Sequence, residues 1–127
     1  MVLLVGRILF GGFFIVMGLN HFRNLAMMSG YAKSKNVPFP RLAVIATGIM
    51  LVVGGASVLL GILPIVGLTV LIVFLLSTLV TMHDFWNMKD PQQRAADQVN
   101  FLKNVALIGG SLALMYGVSE WALALYA

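Results

Sequence analysis

The chain has 127 residues, 61% of them hydrophobic and only 9% charged, with a formal net charge of +4 and no cysteine. Soluble domains carry about 25% charged residues, so an ordinary water-soluble globule is excluded, and the length leaves room for one compact unit without a separate soluble domain. Lack of cysteine excludes disulfides, dithiol redox chemistry and Fe–S ligation, and the positive charge is no nucleic-acid signal because the cations flank apolar stretches.

Four apolar stretches approach about 20 residues, the length at which a helix crosses a bilayer. The sequence therefore predicts an all-α transmembrane four-helix bundle in a single domain, 1–127. The first span covers about 2–22. It is expected to be retained rather than cleaved as a signal peptide: Met1–Leu4 carries no basic side chain, Arg7 interrupts the apolar run, and no A-x-A pattern follows. Arg7, Gly11, Phe14, Gly18 and His21 recur in steps of 4, 3, 4 and 3, so they form one helical stripe.

The segment Asn24–Arg41 contains an apolar set, Leu25, Met28 and Tyr31, followed by lysines and by Val37-Pro-Phe-Pro40. This pattern predicts a short interfacial helix between spans one and two, stopped by the prolines. The second span covers about 42–63 and ends at Gly61-Ile-Leu-Pro64, which reads as a tight turn. The third span, about 65–83, places Ser77, Thr81 and Asp84 on one face. A basic loop, 87–98, follows and holds Asp90 and Asp97 at the exposed surface. The fourth span, about 99–121, carries a stripe of Lys103, Leu107, Gly110, Leu114 and Gly117, with Asn100 near its edge.

The chain also looks doubled, as two helical hairpins. Asn20-His21-Phe22 and His83-Asp84-Phe85 each end a span; each is followed by a basic, proline-containing loop and a span with a Gly-Gly pair, Gly54-Gly55 or Gly109-Gly110. Such units would be parallel repeats related by an axis along the membrane normal. The plain alternative is that small residues and interfacial His are common in membrane helices. Arg23, Lys33, Lys35, Arg41, Lys89 and Arg94 all fall on one side, so the positive-inside rule places loops 23–41 and 87–98 in the cytoplasm and both termini outside a cell membrane.

Depth brings Asn20, His21, His83, Asp84, Asn100, Lys103 and Asn104 within about two turns of the same surface, at 1.5 Å rise per residue. They predict a polar pocket just under the basic interface. An Asp84–Lys103 ion pair would relieve two charges at depth; otherwise Lys103 snorkels and Asp84 caps a helix or faces water. Arg7 lies toward the opposite surface as a structural or anion-facing group, with Glu120 as one available partner. His21 and His83 could be axial haem ligands, but a lone interfacial His on each helix is more often a hydrogen-bonding group, so haem is disfavoured. A quinone head group asks for less: one or two hydrogen-bonding side chains and a flat wall, which His83, Asp84, Trp86, Asn100 and Lys103 could supply. Phe85 and Trp86 read equally as interfacial aromatic-belt residues.

These residues match a known pattern. Arg7-Ile-Leu-Phe-Gly11 with Gly18 and His21-Phe22, Val37-Pro-Phe-Pro40, His83-Asp-Phe-Trp86, and Phe101-Leu-Lys-Asn104 followed by Gly109-Gly110 occur in order and in register with four spans. In this the chain resembles the DoxX family of small four-span membrane proteins. Asn100 stands where many relatives would have His, which puts in doubt any role needing an imidazole there. The resemblance implies a membrane protein linked to quinone-dependent oxidation: the related DoxD subunit belongs to a thiosulfate:quinone oxidoreductase, and other members look like membrane partners of redox-detoxifying proteins.

The leading expectation is thus a redox-associated, quinone-linked membrane subunit working with a partner protein. In it Asp84 accepts a proton, Lys103 is its electrostatic partner and His83 or His21 donates. The alternatives are a module that binds or transports a lipid-like molecule without catalysis, where a homodimer would complete a narrow four-span route, and a membrane anchor whose basic loops dock a partner. There is no phosphate-cradling loop, no Ser-His-Asp order and no metal-ligand spacing, so a self-contained enzyme has no support in the sequence.

Overall fold

Proline and glycine punctuation sets the helix boundaries. The computed structural model describes residues 1–118 and 121. It contains α1 (Val2–Arg23), α2 (Leu25–Ser34), α3 (Pro40–Leu60), α4 (Pro64–Thr81), a 3-10 turn (Phe85–Asn87) and α5 (Pro91–Tyr116). α3, α4 and α5 each open on proline, whose missing N–H and fixed φ suit the first helical position. α3 stops at Gly61, in the left-handed region at φ 71°, a conformation that glycine adopts without steric cost. Ser57 then stitches the α3–α4 turn: its Oγ lies 2.5 Å from the Ile62 carbonyl and 3.0 Å from that of Leu63.

One boundary differs markedly from the sequence reading, while another element matches it. The short helix between spans one and two is present as α2. The fourth helix begins at Pro91, well before residue 99, because Asp90 is an N-cap whose side chain accepts from the Gln92 N–H at 3.3 Å. The Asp-Pro pair is a helix start inside what reads as a loop. Asp97 is consequently a helical residue, and it is buried rather than exposed.

Among the described residues, four helices are long and apolar enough to cross a membrane: Val2–Arg23, Pro40–Leu60, Pro64–Asn87 (α4 with the 3-10 turn) and Pro91–Tyr116. Leu9, Val16, Val53, Val80 and Val99 are among the large apolar side chains on the outside. A surface so apolar suits hydrocarbon, where water would penalise it. The chain is a multi-pass membrane protein.

Inside, Phe14, Leu51, Val58, Leu68, Leu71 and Leu75 form the core with Val118 and Trp121. α1 packs chiefly on α3, α3 on α4 and α4 on α5, while α2 lies against α3. The α1–α3 seam is built on glycine. A Cβ added at Gly11 would stand 2.6 Å from the Gly55 carbonyl oxygen, and one at Gly55 the same distance from that of Gly11. One step along, a Cβ at Gly18 would stand 2.8 Å from the Gly48 oxygen. The matched seven-residue spacings, 11 to 18 and 48 to 55, let two antiparallel backbones touch.

Candidate functional site

The α1 stripe read from the sequence is the buried face of that helix: Arg7, Gly11, Phe14, Gly18 and His21. Arg7, 1% exposed, crosses to the end of α3, where Nε donates to the Val58 carbonyl (3.1 Å) and Nη2 to that of Leu59 (3.2 Å). The last carbonyls of a helix have no intrahelical donor and carry its negative dipole end, so a cation there is doubly satisfied. The guanidinium also lies 4.7 Å from the Trp121 ring centroid. These contacts tie α1 to the end of α3; Glu120, the expected neighbour of Arg7, lies outside the described residues.

His21 is buried and bonded within its own helix. Its Nδ1 lies 2.8 Å from the Met17 carbonyl one turn back, and its ring meets Phe74 edge-on at 6.0 Å. It packs against Phe74 of α4 and Gly48 of α3.

The polar groups gather instead where α2, the α4–α5 connection and the start of α5 meet. Lys35, which caps the C-terminus of α2, pairs with Asp84 at 2.5 Å, and Asn87 donates to the other Asp84 oxygen at 3.2 Å. The expected Asp84–Lys103 pair does not form. α2 brings Lys35 to Asp84 first, and Lys103 is exposed, beside a narrow crevice lined by Phe13, Met17 and Leu107. Tyr31 secures the same junction by donating to the Met82 carbonyl at 3.3 Å. The hydrogen bond from Asp84 holds the Lys35 ammonium above the ordinary lysine value, and burial pushes the Tyr31 phenol above its own.

His83 turns to the residue that the loop reading had placed at the surface. Its Nδ1 lies 2.8 Å from Asp97 Oδ1, toward which the Asn100 amide also donates at 3.5 Å. Asp97 is only 6% exposed, and its Oδ2 is buried without a hydrogen-bond partner. Asn104, also buried, donates to Thr78 Oγ1 at 2.8 Å and ties α5 to α4. Among the described residues, the inward stripe of α5 is therefore Asp97, Asn104, Ser111 and then Val118, not the Lys103 stripe. On α4 the polar residue turned toward α5 is Thr78; Ser77 and Thr81 are exposed and bond to their own helix.

Beside this network opens a cleft of about 480 Å³ lined by Tyr31, Ser34, Lys35, Met88, Gln93, Ala96, Asp97 and Asn100. Of the residues expected in a common pocket, only Asn100 is on its wall. Asn20, exposed, accepts from Asn24 at 2.5 Å, while Trp86 stacks edge-on with Phe85 and Phe101 at 5.4 and 5.8 Å. Sequence reasoning missed Asp97, Tyr31 and Lys35. The signal for Asp97 was present: with Asp90-Pro91 as a helix start, Asp97, Asn100 and Asn104 fall at i, i+3 and i+7, on one face.

The DoxX family model matches residues 2–84, from the start of α1, with its buried stripe of Arg7, Gly11, Gly18 and His21, to His83-Asp84 after α4. The chain belongs to the DoxX family. The match to DoxX ends at Asp84, so α5, with Asp97 and the Phe101-Leu-Lys-Asn104 run, lies beyond it. No characterised protein and no solved structure shows significant similarity to the chain.

Proposed function

We propose that this DoxX protein is a redox-associated membrane subunit that holds a quinone-type head group in the cleft at the basic end of the bundle. Asp97 carries the reading: it is buried, bonded to an imidazole, and part of the wall of a polar cleft, with one oxygen still without a partner. A buried acceptor left unsatisfied costs about 1–3 kcal/mol, so its persistence at a cleft favours completion by a ligand. A volume of about 480 Å³ suits a single-ring head group. His83 and Asp97 replace Asp84 and Lys103 as the acid–base pair of this reading, because Asp84 is already engaged by Lys35 and Asn87. A quinone supplies two-electron, two-proton chemistry when bound; the chain's own part is to orient the ring and to hold a proton on the His83–Asp97 pair. Electrons would pass to or from a partner protein.

In this proposal the basic segments 23–41 and 87–98 face the cytoplasm, α2 lies at the interface, and the cleft opens at head-group depth where a quinone tail would run between helices. The anchor reading is weakened by Lys35, whose ammonium is spent on Asp84 rather than presented to a partner.

The test is a titration of a short-chain ubiquinone analogue against purified protein in nanodiscs, comparing wild type with Ala96→Phe, which fills the cleft from an exposed wall position. Affinity lost by tenfold or more supports the cleft; equal affinities reject it.

A further inference from the structure

The free hydrogen-bonding capacity of the cleft wall is unequally divided between donors and acceptors. Ser34 spends its hydroxyl proton on the Tyr31 carbonyl at 2.5 Å, and Tyr31 spends its own on the Met82 carbonyl at 3.3 Å. Each hydroxyl is left with lone pairs only. Lys35 retains N–H groups, which serve acceptors in a ligand, while Gln93 and Asn100 retain amide capacity that serves either donors or acceptors through rotation. Asp97 has no such freedom. Its Oδ1 already faces His83 Nδ1 and the Asn100 amide, and its buried Oδ2 can complete its bonding only by accepting.

A quinone ring presents carbonyl oxygens, which accept; the corresponding hydroquinone presents hydroxyls, which donate. A carbonyl set against Asp97 Oδ2 would oppose two acceptors in a buried site, whereas a hydroxyl there fills the one unmet valence. We infer that the cleft selects the reduced, hydroxyl-bearing form of its ligand, with Asp97 Oδ2 as the discriminating acceptor. The inference rests on the cleft being a quinone-type site and names which redox form it retains. Asp97 is here a specificity determinant through direct contact, and His83 a positioning residue that fixes the carboxylate.

The experiment is an anaerobic equilibrium titration of the protein in nanodiscs with three probes of one ring and tail: a short-chain hydroquinone, its quinone and its dimethyl ether. The hydroquinone is expected to bind about tenfold or more tightly than the quinone, and the ether, which keeps the shape but cannot donate, no better than the quinone. In Asp97→Asn an amide N–H can replace the acceptor, so the preference is expected to shrink to parity or to invert toward the quinone. Equal affinities in wild type, tighter quinone binding, or an unchanged ratio in Asp97→Asn would overturn the inference while leaving the cleft a ligand site. Failure of all three probes to bind would overturn the cleft reading and the inference with it. If Asp97→Asn does not fold, the three-probe series on the wild type still decides.

Discussion

The α1–α3 seam and the α4–α5 seam are held together by opposite means. α1 and α3 approach until glycine backbones touch, at Gly11–Gly55 and Gly18–Gly48, so that an added methyl meets a carbonyl oxygen. α5 docks on α4 through side chains: Asn104 on Thr78 and Asp97 on His83. Its own Gly-Gly pair is idle by comparison, since a Cβ at Gly109 would meet nothing and one at Gly110 would touch the Phe10 ring at an ordinary 3.6 Å. The lesson is that the same dipeptide in two similar helices marks a contact in one and open surface in the other. The dense seam sets the scaffold; the polar cleft lies beside the looser one, between α2 and the start of α5.

The sharpest way to break this contrast is Gly55→Leu against Gly109→Leu. Overpacking a backbone contact costs typically 1–3 kcal/mol and sometimes more, so Gly55→Leu is expected to lose about 3 kcal/mol or fail to assemble, while Gly109→Leu changes little. Thermal unfolding in detergent, followed by circular dichroism, reads both. Next in size is Arg7→Met, which removes two charged hydrogen bonds from the end of α3. A loss of at least about 2 kcal/mol is expected, since a hydrogen bond from a charged group contributes about 1.5–3 kcal/mol.

On the looser seam, Asn104→Ala is expected to cost about 1 kcal/mol and to raise hydrogen exchange in α5 more than in α1, because it cuts a single neutral hydrogen bond between helices. A uniform rise across all helices would mean that the two seams form one cooperative unit. The smallest effect belongs to the Lys35–Asp84 contact, a partly exposed pair. Lys35→Met should cost about 1 kcal/mol or less. Because the folded state holds the Lys35 ammonium above its ordinary value, the contribution is complete below that ordinary value and is lost as pH rises through the raised one. Wild type should therefore lose stability in the strongly alkaline range with a component that Lys35→Met lacks, measured as the thermal midpoint against pH.

Much of the fold was legible because bilayer crossing is a demand on length and apolarity that the chain states openly. The α1 stripe was legible too: its steps of 3 and 4 identify a face without knowledge of any neighbour, and each of its members is buried. The site was less so. Asp97 was hidden by a misplaced helix start, since Asp90-Pro91 in a polar run resembles a loop until its cap and proline are weighed together. The partner of Asp84 depended on α2 folding back beside the α4–α5 connection, a tertiary fact that spacing along one helix cannot carry. On α5 the inward face lies at Asp97, Asn104 and Ser111, about 100° round from the Lys103 stripe, because the apolar residues there are spread around the helix and give no clear phase.

Arg7 has a consequence for how the protein is made. During synthesis α1 leaves the ribosome long before the Val58 and Leu59 carbonyls that receive its guanidinium exist. Until α3 arrives, that side chain, within two turns of the start of α1, must reach back to water or bear part of the cost, about 2.5–3.5 kcal/mol, that a charge incurs at a helix centre. α1 is thus a conditional passenger of the insertion machinery, made secure by a helix whose own end it then seals.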